Sequence, residues 1–306
     1  MSQPLPRRIL VGVSCAPDVA EPPLVKIADV DHRTIEQAVW LAARVKAEVH
    51  LFHVVDFIGE SVAGHDDVEA VVQGSLTAEM EAIQHRAADE GVRVSYAFGR
   101  GRPWEALLAY ATTISADLLM VSPRRDDLTT FQRLLHGSTT RRLLHHAPCA
   151  VWVVEPDRPL GVHRVLALVD DSPVSAEVVA ATRALADAVG AEKHLLRCLD
   201  YPADVAVRRL PDAERALRHY HDRVRENAQH QLEKLVGDPS GWHLSLGEDW
   251  VARVVPRRVE KDKIDLVVLA SVSTNTLRGR ILGTTAEAIL ERSPVSAWVL
   301  RGIPEA

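Results

Sequence analysis

The chain states one pattern twice. Leu134-Leu-His-Gly-Ser-Thr-Thr-Arg-Arg-Leu-Leu-His-His-Ala-Pro-Cys-Ala-Val-Trp-Val-Val154 returns as Arg280-Ile-Leu-Gly-Thr-Thr-Ala-Glu-Ala-Ile-Leu-Glu-Arg-Ser-Pro-Val-Ser-Ala-Trp-Val-Leu300. Gly137 and Gly283, Pro148 and Pro294, Trp152 and Trp298 all stand at an offset of 146 with no gap. Whatever fold the chain adopts must therefore be built in two copies. A glycine before hydroxyl residues, an apolar-periodic run, a proline stop and a short apolar segment read as loop, helix and strand. The start of such a helix presents free backbone N–H groups and the positive end of the helix dipole, which suits phosphate oxygens.

The rest of each copy alternates strands and helices. Ile9 to Val13 and Val165 to Val169 are continuous apolar runs expected of strands buried on both faces. Helices are expected over Thr34 to Lys46 and Ser175 to Val189, followed by strands Val49 to Val55 and Lys193 to Leu199. Amphipathic helices are expected near Val68 to Glu90 and Asp212 to Val236, then strands at Val92 to Ala97 and Trp242 to Leu246. Gly101 and Gly247 open helices whose tryptophans, Trp104 and Trp250, are expected to dock on the sheet. The fourth strands are Ala116 to Ser122 and Ile264 to Ala270. The first strands align at an offset of 156 and Asp56 with Asp200 at 144, so the first copy carries 12 extra residues, expected as a long loop from Cys15 to Asp31. Two more residues lie in its loop after the fourth strand.

Alternation of this kind requires parallel strands joined by right-handed crossovers. The expected fold is α/β: two tandem Rossmann-like domains, residues 1–157 and 162–306, each a five-stranded parallel sheet with helices on both faces. Ligands on such sheets bind at the carboxyl ends of the strands, where strand order reverses. The terminal strands, Ala150 to Val154 and Ala297 to Leu300, are apolar and aromatic and would be a hazard as exposed edges.

Composition narrows the function classes. A net charge of −6 argues against general affinity for nucleic acid or anionic membrane. No apolar run reaches the roughly 18 residues that span a bilayer, and the first residues run into a strand without a signal-peptide core, so a cytoplasmic location is expected. Cys15, Cys149 and Cys198 are too few and too scattered for a disulfide framework or thiolate metal site. Fourteen histidines include His145-His146, His219-Tyr-His221 and the pair His50 and His53, but none has ligand spacing along its own element, and no metal is expected. No nucleophile motif stands out.

These residues resemble the universal stress protein family, in its tandem two-domain type. The resemblance rests on Val165-Leu-Ala-Leu-Val-Asp-Asp-Ser172, on Leu269-Ala-Ser-Val-Ser with Gly283-Thr-Thr-Ala-Glu-Ala-Ile-Leu, and on their first-half counterparts. The family divides into members that bind ATP and members that do not. Binders have an aspartate after the first strand, then Gly-x-x-Gly, nine residues, and Gly-Ser/Thr around the phosphates. The resemblance places Asp170, with Ser172 in the same loop, at the aspartate, Cys198 where backbone meets adenine, Ala270 and Ser273 at the first glycine pair, and Gly283, Thr284 and Thr285 at the last part. In the first half Ser14 replaces the aspartate, and counting back from Gly137 puts Arg124 and Asp127 at the glycines, so no ATP is expected there. The resemblance implies a non-catalytic stress-response protein, with ATP or another adenine nucleotide held by the second domain only. It further implies pairing of the terminal strands into an intramolecular pseudo-dimer, with homodimerisation also open. The alternatives are a ligand-independent scaffold with vestigial clefts and a slow ATPase.

Overall fold

A computed structural model describes residues 5–18, 25–55, 65–122, 138–210, 212–272 and 283–302. The first half runs β1 (Arg8–Val13), β2 (Cys15–Pro17), β3 (Val25–Ile27), α1 (Asp29–Val45), β4 (Glu48–Val55), α2 (His65–Asp89), β5 (Val94–Arg100), α3 (Pro103–Thr113), β6 (Leu118–Val121), α4 (Ser138–His146) and β7 (Ala150–Val153). The second half runs β8 (Arg164–Val169), α5 (Ser175–Val189), β9 (Glu192–Cys198), α6 (Asp204–Val207), α7 (Ala213–Val236), β10 (Trp242–Gly247), α8 (Val251–Asp262), β11 (Leu266–Val272), α9 (Thr284–Leu290) and β12 (Ser296–Gly302).

Ten strands form one sheet in the order β10-β9-β8-β11-β12-β7-β6-β1-β4-β5. Within each half of this sheet every pairing is parallel, and order reverses between β1 and β6 and between β8 and β11. Alternate side chains feed two cores, as a two-residue strand period requires. Ile9, Val11, Val165 and Ala167 join the core under α1, α2, α5 and α7, while Leu10, Leu166 and Leu168 join the one under α3, α4, α8 and α9. Among the described residues no helix is long and apolar enough to cross a membrane.

The two halves meet at β7 and β12, which pair antiparallel with Trp298 opposite Trp152. The indoles stack with centroids 5.9 Å apart, and both side chains are buried. Across the seam Ser296 Oγ accepts from Glu155 N at 2.9 Å, and Glu287 lies 3.2 Å from His145 Nε2 and 3.7 Å from Arg141. The apolar terminal strands thus cover one another, and β5 and β10 become the edges of the sheet.

Two expectations are corrected. The inserted stretch after β1 is not simply loop: β2 and β3 pair antiparallel, Ile27 is fully buried, and its N–H donates to Glu79 of α2 at 2.7 Å. Helix α1 begins at Asp29, five residues before Thr34, where the exposed Asp29 carboxylate suits the positive end of its dipole. Second, Trp250 does not dock on the sheet. It precedes α8, is 47% exposed, and is covered by the Arg292 guanidinium at 4.9 Å, whereas Trp104 is half-buried beside Arg142 and His146.

Candidate functional site

Parallel strands joined on both faces leave a crevice where their order reverses, beyond the carboxyl ends of the two central strands. Each half has one. In the second half it lies beyond β8 and β11, and Asp170 follows directly on β8. Its carboxylate is organised locally. Ser172 donates to Oδ1 from its backbone N–H at 2.9 Å and from its hydroxyl, and Ser175 Oγ lies 3.1 Å from the same oxygen. Ser175 Oγ also accepts from Asp170 N at 3.0 Å. Partial burial acts to raise the Asp170 pKa, but the serine hydrogen bonds outweigh it and hold the carboxyl below its ordinary range. Asp170 is therefore ionised at neutral pH, and among the described residues its hydrogen bonds land on Oδ1.

The other expected residues stand around this point. Ala270 is half-buried near the end of β11. Cys198 ends β9, paired with Gly247, and burial together with Asp249 pushes its thiol up to about 11, so it packs as a neutral group. Gly283 is the N-cap of α9, with Thr284 and Thr285 opening the helix. Gly283 has an ordinary φ of −62°, and among the described residues a Cβ there would meet no atom within 4 Å. Ser273, the side chains of Thr284 and Thr285, and the first-half positions Arg124, Asp127 and Gly137 lie outside the described residues.

In the first half the same architecture is filled differently. Helices α1 and α5 end at Val45 and Val189, each followed by a left-handed residue, Lys46 and Gly190, so they align at an offset of 144 and Asp31 stands in the place of Ser175. After the preceding strand, Ser14 stands in the place of Asp170. Acid and serine have exchanged positions. Asp31 is 2% exposed and turns its carboxyl inward between the strand ends. Ser14 gives it both backbone N–H, at 2.7 Å, and hydroxyl, at 2.5 Å, and the Ser122 hydroxyl bonds the other oxygen. Burial raises the Asp31 pKa more than these bonds lower it. Ser122 occupies the place of Ala270, because Met120 pairs with Trp152 as Val268 pairs with Trp298. Beside them His53 is buried, its Nδ1 2.9 Å from Val13 O, and burial holds its pKa low.

Sequence reasoning missed Asp31, Ser122 and Ser175. A serine in place of the aspartate was visible, but the compensating aspartate lies across an insertion that hid the alignment. Among the described residues, His194 and His243 meet Glu192 across β9 and β10.

A profile of the universal stress protein family matches residues 27–155 and again 161–301. A universal stress protein of Methanocaldococcus jannaschii is 25% identical over 132 residues, covering 42% of this chain and 76% of the relative. The crystal structure of a universal stress protein from Archaeoglobus fulgidus superposes with a TM-score of 0.70 at 14% identity, over 96% of this chain and 98% of that one. A functionally unknown protein from Pseudomonas aeruginosa PAO1 superposes with a TM-score of 0.67 at 18% identity, over 97% and 93%. Two successive family matches, on two halves with one strand order, assign the chain to the universal stress protein family as a tandem of two domains.

Proposed function

We propose that this chain is a non-catalytic universal stress protein of the cytoplasm that holds one adenine nucleotide, in the crevice of its second half, as part of a stress response. Asp170 carries the reading. It is an ionised acceptor at the rim of the reversal point, fixed through Oδ1 by Ser172 and Ser175, so that Oδ2 can receive a ribose hydroxyl or an adenine amino group. Gly283 supports it, since among the described residues nothing within 4 Å would crowd a phosphate approaching the backbone before α9. In the first half the carboxyl points inward and occupies the space between β1 and β6, so the nucleotide belongs to one half only. A single carboxylate engaged as an acceptor supplies no separate general base, and the reading includes no turnover.

Calorimetric titration with ATP, AMP and cyclic AMP tests it. One site per chain is expected. A hydrogen bond to a charged group is worth about 1.5–3 kcal/mol, so Asp170→Ala should weaken binding about 10- to 100-fold. Asp31→Asn should leave the affinity unchanged. Absence of binding by the wild type, or equal binding by Asp170→Ala, refutes the assignment.

A further inference from the structure

At the opposite end of the second-half sheet, three side chains converge that the nucleotide reading does not use. Glu192 and His194 sit at the first and third positions of β9, on one face, and strand register sets His243 of edge strand β10 directly opposite His194. One ligand atom from each of Glu192, His194 and His243 lies within 4.8 Å of the other two. The imidazoles stack with centroids 4.6 Å apart at 26°, and His194 Nε2 is 3.7 Å from Glu192 Oε2.

The His194 side chain is 8% exposed, yet neither ring nitrogen has a hydrogen-bond partner among the described residues. A buried polar group left in this way needs a partner that can reach it. On the far side of the ring, Nδ1 is 3.7 Å from Asp262 Oδ2 at the end of α8. A carboxylate behind one nitrogen, with a second imidazole and a carboxylate before the other, is the arrangement in which a histidine binds a metal and is oriented from behind.

We propose that Glu192, His194 and His243 bind one divalent transition-metal cation of the zinc class, with Asp262 orienting His194. Two imidazoles and a carboxylate suit Zn2+ and its neighbours rather than Mg2+ or Ca2+, which take oxygen ligands. The cation must share Glu192 with Arg164, whose Nε is 3.0 Å away. That pair is 36% and 53% exposed, where an ion pair is weak. Arg258 contacts Asp262 and leaves His194 between a neutralised carboxylate and the cluster. The first half supplies an internal contrast. Arg8, Glu48 and His50 repeat Arg164, Glu192 and His194, but the place of His243 is taken by Ser95, whose Oγ lies 2.8 Å from His50 Nδ1. There a hydroxyl partners the imidazole and the third ligand is gone, so one site per chain is expected, not two.

The test is calorimetric titration of the full-length, tag-free, chelator-stripped protein with Zn2+ in the absence of nucleotide, so that phosphate-bound metal cannot contribute. One equivalent is expected. His243→Ser copies the first half at an exposed position. Changing an outer-sphere partner already weakens metal binding 10- to 100-fold, so losing this ligand should weaken it by roughly 100-fold or more, with Glu192→Gln also weaker. Zn2+ should raise the Tm of the wild type and not that of His243→Ser, because the cation ties the edge strand to β9. Wild-type protein that takes up no Zn2+, His243→Ser that binds as tightly, or Mg2+ that competes as well as Zn2+ would overturn the proposal.

Discussion

Trp152→Ala should destabilise the protein by about 3–5 kcal/mol, the range for removing a buried tryptophan from a packed core. Trp152 is 1% exposed and Trp298 4%, and they stack at the centre of the short antiparallel seam that joins the two five-stranded sheets. Truncation leaves a cavity where strands from the two halves pair, and it strips the opposing indole of its contact. Trp298→Ala should have a similar effect. Since each variant removes the same stack, the double variant should lose less than the sum of the two. Urea unfolding of the three proteins measures this.

Trp152→Phe separates packing from polarity. Both indole N–H groups are buried without a hydrogen-bond partner among the described residues, a state that costs free energy in the native protein. Phenylalanine keeps most of the ring contact and removes the stranded donor. It should therefore lie within about 1 kcal/mol of wild type, as conservative hydrophobic exchanges do. A phenylalanine variant as damaged as the alanine one would show that the lost ring volume outweighs relief of the stranded donor.

The duplication, the strand alternation and the central apolar runs could be read from the chain because each depends on local periodicity. Ser175 to Val189 is a helix to the residue. What escaped depends on pairings between elements. Asp31 reads as one of several acids in a polar stretch, and only the alignment of α1 with α5 shows it facing Ser14 as Ser175 faces Asp170. His194 and His243 are 49 positions apart and become neighbours only through the register of β9 on β10. Counting back from Gly137 led to Arg124, because two extra residues in that loop displaced the count from Ser122. Trp250 kept its place in the repeat but lost its packing, since a shared position does not guarantee a shared environment.

The exchange of acid and serine makes Asp31→Asn the sharper probe of the first half. Burial raises the Asp31 pKa above the ordinary 3.8, so the folded state retains this proton to a higher pH than the unfolded chain. The sign follows from linkage: Asp31 favours folding fully below about pH 3.8, and that contribution falls as pH rises from there through the folded pKa, by about 1.4 kcal/mol for each unit of elevation. Asparagine has the same shape and cannot ionise. Its carbonyl can accept from the Ser14 N–H, and its amide can donate to Ser122 Oγ. Relative to wild type, Asp31→Asn should therefore gain stability as pH rises from 4 towards 7. A charge on His32 would favour ionised Asp31, and an ionised Asp31 would in turn favour charge on His53. Burial keeps His53 below its usual range, so at neutral pH it offers the carboxylate little charge. Asp31→Ala should instead lose about 2–4 kcal/mol near pH 4, where it strands the Ser14 N–H and opens a cavity. Urea denaturation of the three proteins across this range supplies the measurement, and groups shared by all of them cancel in the differences. A constant gap between Asp31→Asn and wild type, or one that moves against Asn as pH rises, would mean that the crevice holds Asp31 as a stabilised carboxylate. The first half would then be an anionic pocket rather than one plugged by a carboxyl whose ionisation burial opposes.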